Sequence, residues 1–177
     1  MTLRDNARAP SIHASAVLVG DRAVLIRGPS GAGKSRLAFE LILAGRSGQI
    51  AATTLIGDDR LDLEVRQGQL FICPVPQLAG LIEIRGLGIR RCDFASEAVA
   101  GLVVDLAAPD GERLPDPESR RTMLYGVKLP RIPVQSGFSA LPLVIAELTT
   151  SCDHGAHPAT GDCLKEIGNH ISPTVTQ

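Results

Sequence analysis

Aromatic residues are scarce in this sequence of 177 residues, which contains four Phe, one Tyr and no Trp. Modules that bind single-stranded nucleic acids stack bases on aromatic side chains, so this scarcity argues against that function. An excess of one charge is also lacking, because 18 Lys and Arg residues are balanced by 19 Asp and Glu residues. No basic field exists to hold a nucleic-acid backbone, and any phosphate chemistry must therefore be local.

Long apolar runs are missing as well. Charged or turn-forming residues break every stretch before it reaches the ~18 residues of a membrane span, as Asp21 and Arg22 do within AVLVGDRAVLI. No apolar segment of a secretory signal follows the first ten residues, and four cysteines are too few for a disulfide scaffold. We therefore expect a cytoplasmic protein with reduced thiols and no membrane partner.

The length and the hydrophobic fraction of 44% predict one globular domain over residues 1–177. Hydrophobic periodicity and turn residues predict short strands mixed with few helices, which is typical of an α/β or α+β fold. The predicted elements are a hairpin at 15–27, a helix at 36–44 that stops at Gly45, a hairpin at 61–72, strands at 98–107 and 141–148, and a loop at 109–117.

The strongest motif is GPSGAGKS at residues 28–35, which matches the phosphate-binding loop pattern GxxxxGK[ST] at every fixed position. An apolar strand precedes it and an amphipathic helix follows it, as the mechanism of such a loop requires. Glycines let backbone N–H groups converge on phosphate oxygens, Lys34 would reach the β- and γ-phosphates, and Ser35 would ligate Mg²⁺. A simple turn is the weaker alternative, because a cation is disfavoured at a helix start. The predicted nucleotide ligands are Gly28, Pro29, Ser30, Gly31, Ala32, Gly33, Lys34 and Ser35.

A pair of acidic residues, Asp58 and Asp59, ends the apolar run LIG. Carboxylates at the carboxyl end of a strand beside a phosphate loop are suited to hold Mg²⁺ or to accept a proton. Repulsion between adjacent acids can raise the pKa of one of them and suit it to proton transfer. A solvated turn is the alternative, and the pattern does not decide which aspartate takes which role.

Three further groups are weaker candidates. His13 alone is more often a surface or core residue than a catalytic one. Residues 83–89 combine a carboxylate, a guanidinium and two glycines, which suits contact with metal and phosphate as well as it suits an ordinary turn. A zinc site near the end of the chain is not expected, because its Cys-x-His spacer is shorter than usual. That group consists of Cys152, His154, His157 and Cys163.

Together, the runs IHASAVLVGDRAVLIRGPSGAGKSRLAFELILAG, GDDRLDLEV and LIEIRGLGI resemble the catalytic domain of the bacterial HPr kinase/phosphorylase family over residues 10–148. The resemblance implies an α/β fold: a mixed β-sheet with a phosphate loop and flanking helices, similar to phosphoenolpyruvate carboxykinase. It leaves residues 149–177 as a partly ordered tail. The family's catalytic domain usually follows an amino-terminal domain, and this sequence looks like a short form that lacks it.

What the resemblance implies is an ATP- and Mg²⁺-dependent kinase that phosphorylates a seryl residue of HPr, a small carrier protein of the sugar phosphotransferase system. The family also removes this phosphate by phosphorolysis, which consumes inorganic phosphate and yields pyrophosphate, and it forms hexamers. Carried over by position, one of the two aspartates takes the serine proton. The implied catalytic residues are His13, Lys34, Asp58, Asp59 and Arg113, and the implied metal ligands are Ser35 and Glu83.

Two segments depart from the family pattern. Residues 45–54 look like a surface insertion, and the segment after Lys128 is shorter and less basic than the family's phosphorylase loop, so we expect Arg131 to take part of its role. Two other functions stay open. One is a small-molecule kinase with a lid at residues 109–121, and the other is a non-catalytic regulatory module that binds ATP.

Overall fold

The computed structural model describes residues 11–151, which form a mixed sheet and two α-helices. This confirms the predicted mixed α/β class. In chain order the elements are β1 (Ile12–His13), β2 (Ser15–Val19), β3 (Arg22–Arg27), α1 (Lys34–Arg46), β4 (Thr53–Gly57), β5 (Arg60–Arg66), β6 (Gln69–Pro74), a short 3₁₀ helix (Pro76–Leu78), β7 (Leu81–Ile84), β8 (Gly88–Arg91), β9 (Ala98–Leu106), β10 (Arg121–Leu124), β11 (Val127–Val134) and α2 (Leu141–Thr149).

The strand directions bring several chain segments to one sheet edge. The main path of the sheet is β1-β5-β6-β9-β3-β2-β4, and β11 pairs with the second half of β9. β3, β9 and β11 run parallel, while β2 is antiparallel to both β3 and β4, so β4 also runs parallel to β3. The carboxyl ends of β4, β3, β9 and β11 therefore meet at the same edge. Separately, β7 and β8 form a two-stranded hairpin.

Both faces of the central strands are buried, which explains their continuous apolar runs. On β3, Val24 and Ile26 pack in a core with α1 and α2, whereas Leu25 packs on the opposite face with residues of β5 and β6. The predicted hairpin at 15–27 is present as β2 and β3, with Gly20 in the left-handed region at φ 59°. The hairpin predicted at 61–72 is present as β5 and β6.

The predicted helix at 36–44 is present within α1, and its apolar residues Leu37, Leu41 and Ile42 are buried against the sheet. The prediction that Gly45 ends this helix was wrong, because α1 continues through Arg46. A Cβ at Gly45 would lie 2.7 Å from the Cβ of Thr53. Glycine is therefore needed for the close approach of α1 to β4.

The predicted strand at 141–148 was also wrong, since this run forms α2. Short apolar runs do not distinguish strands from helices by periodicity alone. Pro142 lies in the first turn of α2, where its missing N–H leaves no hydrogen bond unmade, and Val144 is fully buried in the core. Within residues 11–151, neither helix has the length and apolar character needed to cross a membrane.

Candidate active site

The phosphate loop adopts a conformation that its glycines make possible. Gly28, Gly31 and Gly33 have φ values of 149°, 79° and 96°, a region that residues with a Cβ rarely occupy. A Cβ at Gly28 would also lie 2.9 Å from the carbonyl oxygen of Leu106, at the end of β9. The space beside Gly31 and Gly33 is open, whereas Gly28, the first residue of the loop, packs on the adjacent strand.

Lys34 is the only charged side chain of the loop, and it is 6% exposed. Its Nζ atom donates to the carbonyl oxygens of Gly28 at 2.9 Å and Pro29 at 3.1 Å. An ammonium group carries one more donor than these two bonds use, so it can also bind a phosphate oxygen. Ser35 lies beside it in the first turn of α1, which contains no acidic residue to neutralise the helix dipole. These features fit a bound nucleotide phosphate.

Asp58 directly follows β4 and is 4% exposed. Its Oδ1 accepts a hydrogen bond from Ser15 Oγ at 2.5 Å, and its Oδ2 accepts one from the backbone N–H of Glu83 at 3.1 Å. Ser15 can reach Asp58 because β2 lies between β3 and β4, where Ser15 pairs with Ile26. The buried carboxylate is therefore held from two directions, and it ties β7 to the edge of the sheet.

Asp59 has a different environment although it is the next residue. Its side chain is 66% exposed, and its Oδ1 lies 3.1 Å from Nε2 of His13. Its backbone is in the left-handed region at φ 69°, which aspartate tolerates better than most residues, and its carbonyl accepts a bond from the N–H of Ala14. This turn directs the Asp59 carboxylate to solvent beside His13, while Asp58 points into the protein.

Glu83 lies in β7, and its side chain is exposed. Its own backbone N–H is the one that donates to Asp58. The Ser35 hydroxyl and the carboxylates of Asp58 and Glu83 are oxygen ligands of the type that Mg²⁺ prefers. Within the described part of the chain, no three His, Cys, Asp or Glu side chains are close enough to form a metal site alone. This donor set fits Mg²⁺, which usually takes few protein ligands and completes its shell with phosphate and water.

No hydrogen bond or ion pair joins Arg113 to these residues within residues 11–151. It lies, exposed, in the loop between β9 and β10, which begins at the same sheet edge as the phosphate loop. Cys152, His154, His157 and Cys163 lie outside the described residues. The structure therefore brings His13, Lys34, Asp58, Asp59 and Glu83 to one edge and leaves Arg113 on an adjoining loop.

The sequence analysis missed a charged cluster beside the phosphate loop. Asp105, near the end of β9, accepts two hydrogen bonds from Arg27, both at 2.7 Å, and one from Nε of Arg131 at 2.5 Å. Arg131 also donates to both carboxylate oxygens of Asp110, at 2.6 and 3.0 Å. Its side chain is only 13% exposed and is paired with these two carboxylates, whereas the sequence led us to expect it to take part of the role of the family's phosphorylase loop.

The guanidinium groups that bind Asp105 and Asp110 distinguish this cluster from a metal site. Burial by itself would raise the pKa of Asp105, but the hydrogen bonds from Arg27 and Arg131 outweigh burial and lower it. The hydrogen bond from Arg131 likewise lowers the pKa of Asp110. The sequence does contain a pattern that singles out Asp105, the run LVVDL, in which an aspartate follows apolar strand residues. In many phosphate-loop enzymes an aspartate in this position is a magnesium ligand. Here both oxygens of that aspartate are occupied by guanidinium groups.

The comparison with protein families matches residues 5–150 to the HPr Serine kinase C-terminal domain. The chain belongs to this family. Among curated members, the HPr kinase/phosphorylase of Burkholderia lata is 36% identical over 138 residues, covering 71% of this chain and 40% of the relative. That of Burkholderia cenocepacia is 38% identical over 125 residues, covering 63% of this chain and 36% of the relative. The chain thus spans about two fifths of the length of these curated relatives.

A solved structure of the family has the same fold. The structure titled as the Hpr(Ser) kinase/phosphatase from Coxiella burnetii superposes with a TM-score of 0.64 at 27% sequence identity. The match covers 79% of this chain and 93% of that chain. The fold of this chain is therefore that of an HPr kinase catalytic domain.

Proposed function

We propose that this chain transfers the γ-phosphoryl group of ATP to a seryl hydroxyl of the phosphocarrier protein HPr, with Mg²⁺ as cofactor. The observation that supports this most is the meeting of a phosphate loop and two differently held aspartates at one sheet edge, in a member of the HPr kinase family. The two curated relatives are named HPr kinase/phosphorylase, which supports HPr as the acceptor.

The proposed roles follow from the environment of each residue. Lys34 and the loop N–H groups bind and orient the phosphates, and Ser35 with Glu83 would hold the metal. Asp58 could also hold it, because a carboxylate has about four acceptor sites and its two hydrogen bonds come from neutral donors. Mg²⁺, when bound, supplies positive charge that offsets the charge developing on the phosphate oxygens. Arg113, on the loop that follows β9, would stabilise the same developing charge.

Asp59 is the proposed general base, because its carboxylate is exposed to an incoming hydroxyl whereas that of Asp58 is buried and already accepts two hydrogen bonds. In the forward direction Asp59 accepts the proton of the serine Oγ as the new O–P bond forms and the bond to ADP breaks. His13, at 3.1 Å from Asp59, orients that carboxylate.

The reverse reaction is proposed to use the same groups. An oxygen of inorganic phosphate attacks the phosphorus of phosphoseryl HPr, the P–O bond to serine breaks, and pyrophosphate forms. The attacking hydrogen phosphate gives up its proton as pyrophosphate forms, and Asp59, protonated in this direction, donates a proton to the serine oxygen, as microscopic reversibility requires. We further propose that this pair of reactions regulates the sugar phosphotransferase system. A hexameric assembly and a cytoplasmic location stay predictions.

Incubation of the purified chain with HPr, ATP and Mg²⁺ tests the proposal. Seryl phosphorylation of HPr is expected from the wild type and from Lys128→Ala, an exposed lysine on β11, but not from Lys34→Ala. Addition of inorganic phosphate to phosphoseryl HPr should release pyrophosphate. Rapid transfer to a metabolite instead of HPr would favour a small-molecule kinase, and tight ATP binding without any transfer would favour a regulatory module.

A further inference from the structure

The loop that carries Arg113 is held at both ends by a single side chain. Arg131 donates from its two terminal nitrogens to Asp110, and one of these nitrogens also donates to the backbone carbonyl of Ser119 at 2.8 Å. Asp110 and Ser119 lie on either side of residues 111–118, which contain Arg113. The Arg131 side chain therefore closes the base of this loop.

The same arginine is oriented from the side of the phosphate loop. Its Nε donates to Asp105, which is held in turn by two hydrogen bonds from Arg27, the residue immediately before Gly28. The backbone also connects these parts, because Gly28 packs against Leu106. A continuous chain of contacts thus runs from the phosphate loop through Asp105 to Arg131 and on to the loop of residues 111–118.

The backbone at the base of this loop is closely packed. The N–H of Ala108 donates to the carbonyl of Val134 at 2.8 Å, and the N–H of Arg131 donates to the carbonyl of Arg120 at 2.8 Å. A Cβ at Gly111 would lie 2.5 Å from the backbone nitrogen of Gln135. The two ends of the loop are therefore seated on β11, whereas Arg113 within it is exposed and makes no side-chain hydrogen bond among the described residues.

We propose that Arg131 is a positioning residue that holds the loop of residues 111–118, and with it Arg113, at the sheet edge where the phosphate loop lies. This inference rests on the proposed kinase function and on the role proposed for Arg113 there. Four of the five N–H donors of Arg131 bind Asp105, Asp110 and Ser119, and its side chain is only 13% exposed, so we assign it a role that acts through Arg113. Misplacement of a charge-stabilising group by about 1 Å can lower a rate ~10²-fold, which sets the size of the expected effect.

A double-mutant cycle on Arg113 and Arg131 tests the proposal. We expect Arg131→Ala to lower kcat for HPr phosphorylation by about 10- to 10²-fold with little change in KM for ATP. Because Arg131 acts through Arg113, the double variant should be no slower than Arg113→Ala alone. Multiplicative losses in the double variant, or an unchanged kcat in Arg131→Ala, would overturn the proposal.

Two further variants separate positioning from general destabilisation. Asp110→Ala removes only the loop side of the network and leaves the Asp105–Arg131 bond in place, so it should reproduce part of the kcat loss in a folded protein. Arg66→Ala is the matched control. Arg66 lies on β5 and, like Arg131, it binds two carboxylates, those of Glu64 and Glu97. It should leave kcat unchanged.

A readout without activity keeps this test independent of the proposed function. Limited trypsin digestion, followed by mass spectrometry, should show faster cleavage after Arg113 in Arg131→Ala and Asp110→Ala than in Arg66→Ala. Equal cleavage rates in all three variants would show that Arg131 does not hold the loop. Failure of the wild type to phosphorylate HPr, with faster cleavage still present, would refute the kinase proposal and keep the structural role of Arg131.

Discussion

Asp59 and Asp105 lie at the same edge of one sheet, yet the protein surrounds them with different partners. Asp59 is 66% exposed and has an exposed histidine beside it, whereas Asp105 is 16% exposed and accepts hydrogen bonds from two arginines. A carboxylate neutralised by guanidinium groups has little basicity left for a proton or a metal. The contrast indicates that Asp59 is available for chemistry and that Asp105 holds the structure around it.

Replacement of Asp59 should have the largest effect on activity. Asp59→Asn removes the proposed general base, so kcat for HPr phosphorylation should fall by about 10²- to 10⁴-fold. The urea midpoint should hardly move, because the side chain is exposed and its ion-pair partner within residues 11–151 is the exposed His13. Steady-state assays measure kcat, and urea unfolding measures the midpoint. Asp21→Asn, at an exposed turn, is the control, and near wild-type activity in Asp59→Asn would assign the base elsewhere.

Replacement of Asp105, unlike that of Asp59, should have a large effect on stability. Asp105→Ala leaves Arg27 and Arg131 close together without their shared anion, which should lower the free energy of unfolding by about 2–3 kcal/mol, somewhat below the loss at a fully buried pair. Urea unfolding monitored by circular dichroism measures it. A loss below about 0.5 kcal/mol would mean that the arginine network contributes little to stability.

A smaller stability effect is expected at Ser15. Ser15→Ala removes one of the two donors to the buried Asp58 carboxylate and should lower the free energy of unfolding by about 1–2 kcal/mol. Ser11→Ala, nearer the surface, is the matched control for loss of a hydroxyl. Equal stability of Ser15→Ala and the wild type would show that Asp58 does not depend on this bond.

The smallest expected effect is the pH dependence of the stability that Asp105 provides. The arginines lower the pKa of Asp105 in the folded state, so the folded state binds fewer protons there than the unfolded chain. The resulting stability is complete above the unfolded pKa of about 3.9 and is lost as the pH falls through the lower, folded value. Urea unfolding from pH 7 to pH 3 should therefore show that the difference in free energy of unfolding between the wild type and Asp105→Asn becomes smaller as the pH falls. A difference that stays constant over this range would contradict the prediction.

Local patterns predicted the parts of the site that lie close together in the chain. The phosphate loop was predicted because one strand, one turn and one helix follow each other within residues 22–46. The two aspartates were predicted as a pair, but their different environments depend on Ser15 and on the N–H of Glu83, which come from other strands. Sequence proximity therefore pointed to the candidate residues, and tertiary contacts give them different surroundings.

Long-range contacts explain what the sequence could not predict. Arg27 and Asp105 are 78 positions apart, and they meet only because β3 and β9 pair in parallel with these residues in register. Arg131 reaches the same carboxylate because β11 pairs with β9 on its other side. The helix α2 was mistaken for a strand because its apolar run is short, and the burial of Val144 in the core that α1 also covers is a tertiary contact that the local pattern does not reveal.

The two bonds that Lys34 makes to the carbonyl oxygens of its own loop fix the position of its ammonium group before any ligand is present. They leave one N–H of that group for a ligand. Because the side chain is buried and held in place, its conformational freedom is already lost on folding. We therefore expect an anion to bind Lys34 with a smaller loss of side-chain entropy than it would at a mobile surface lysine.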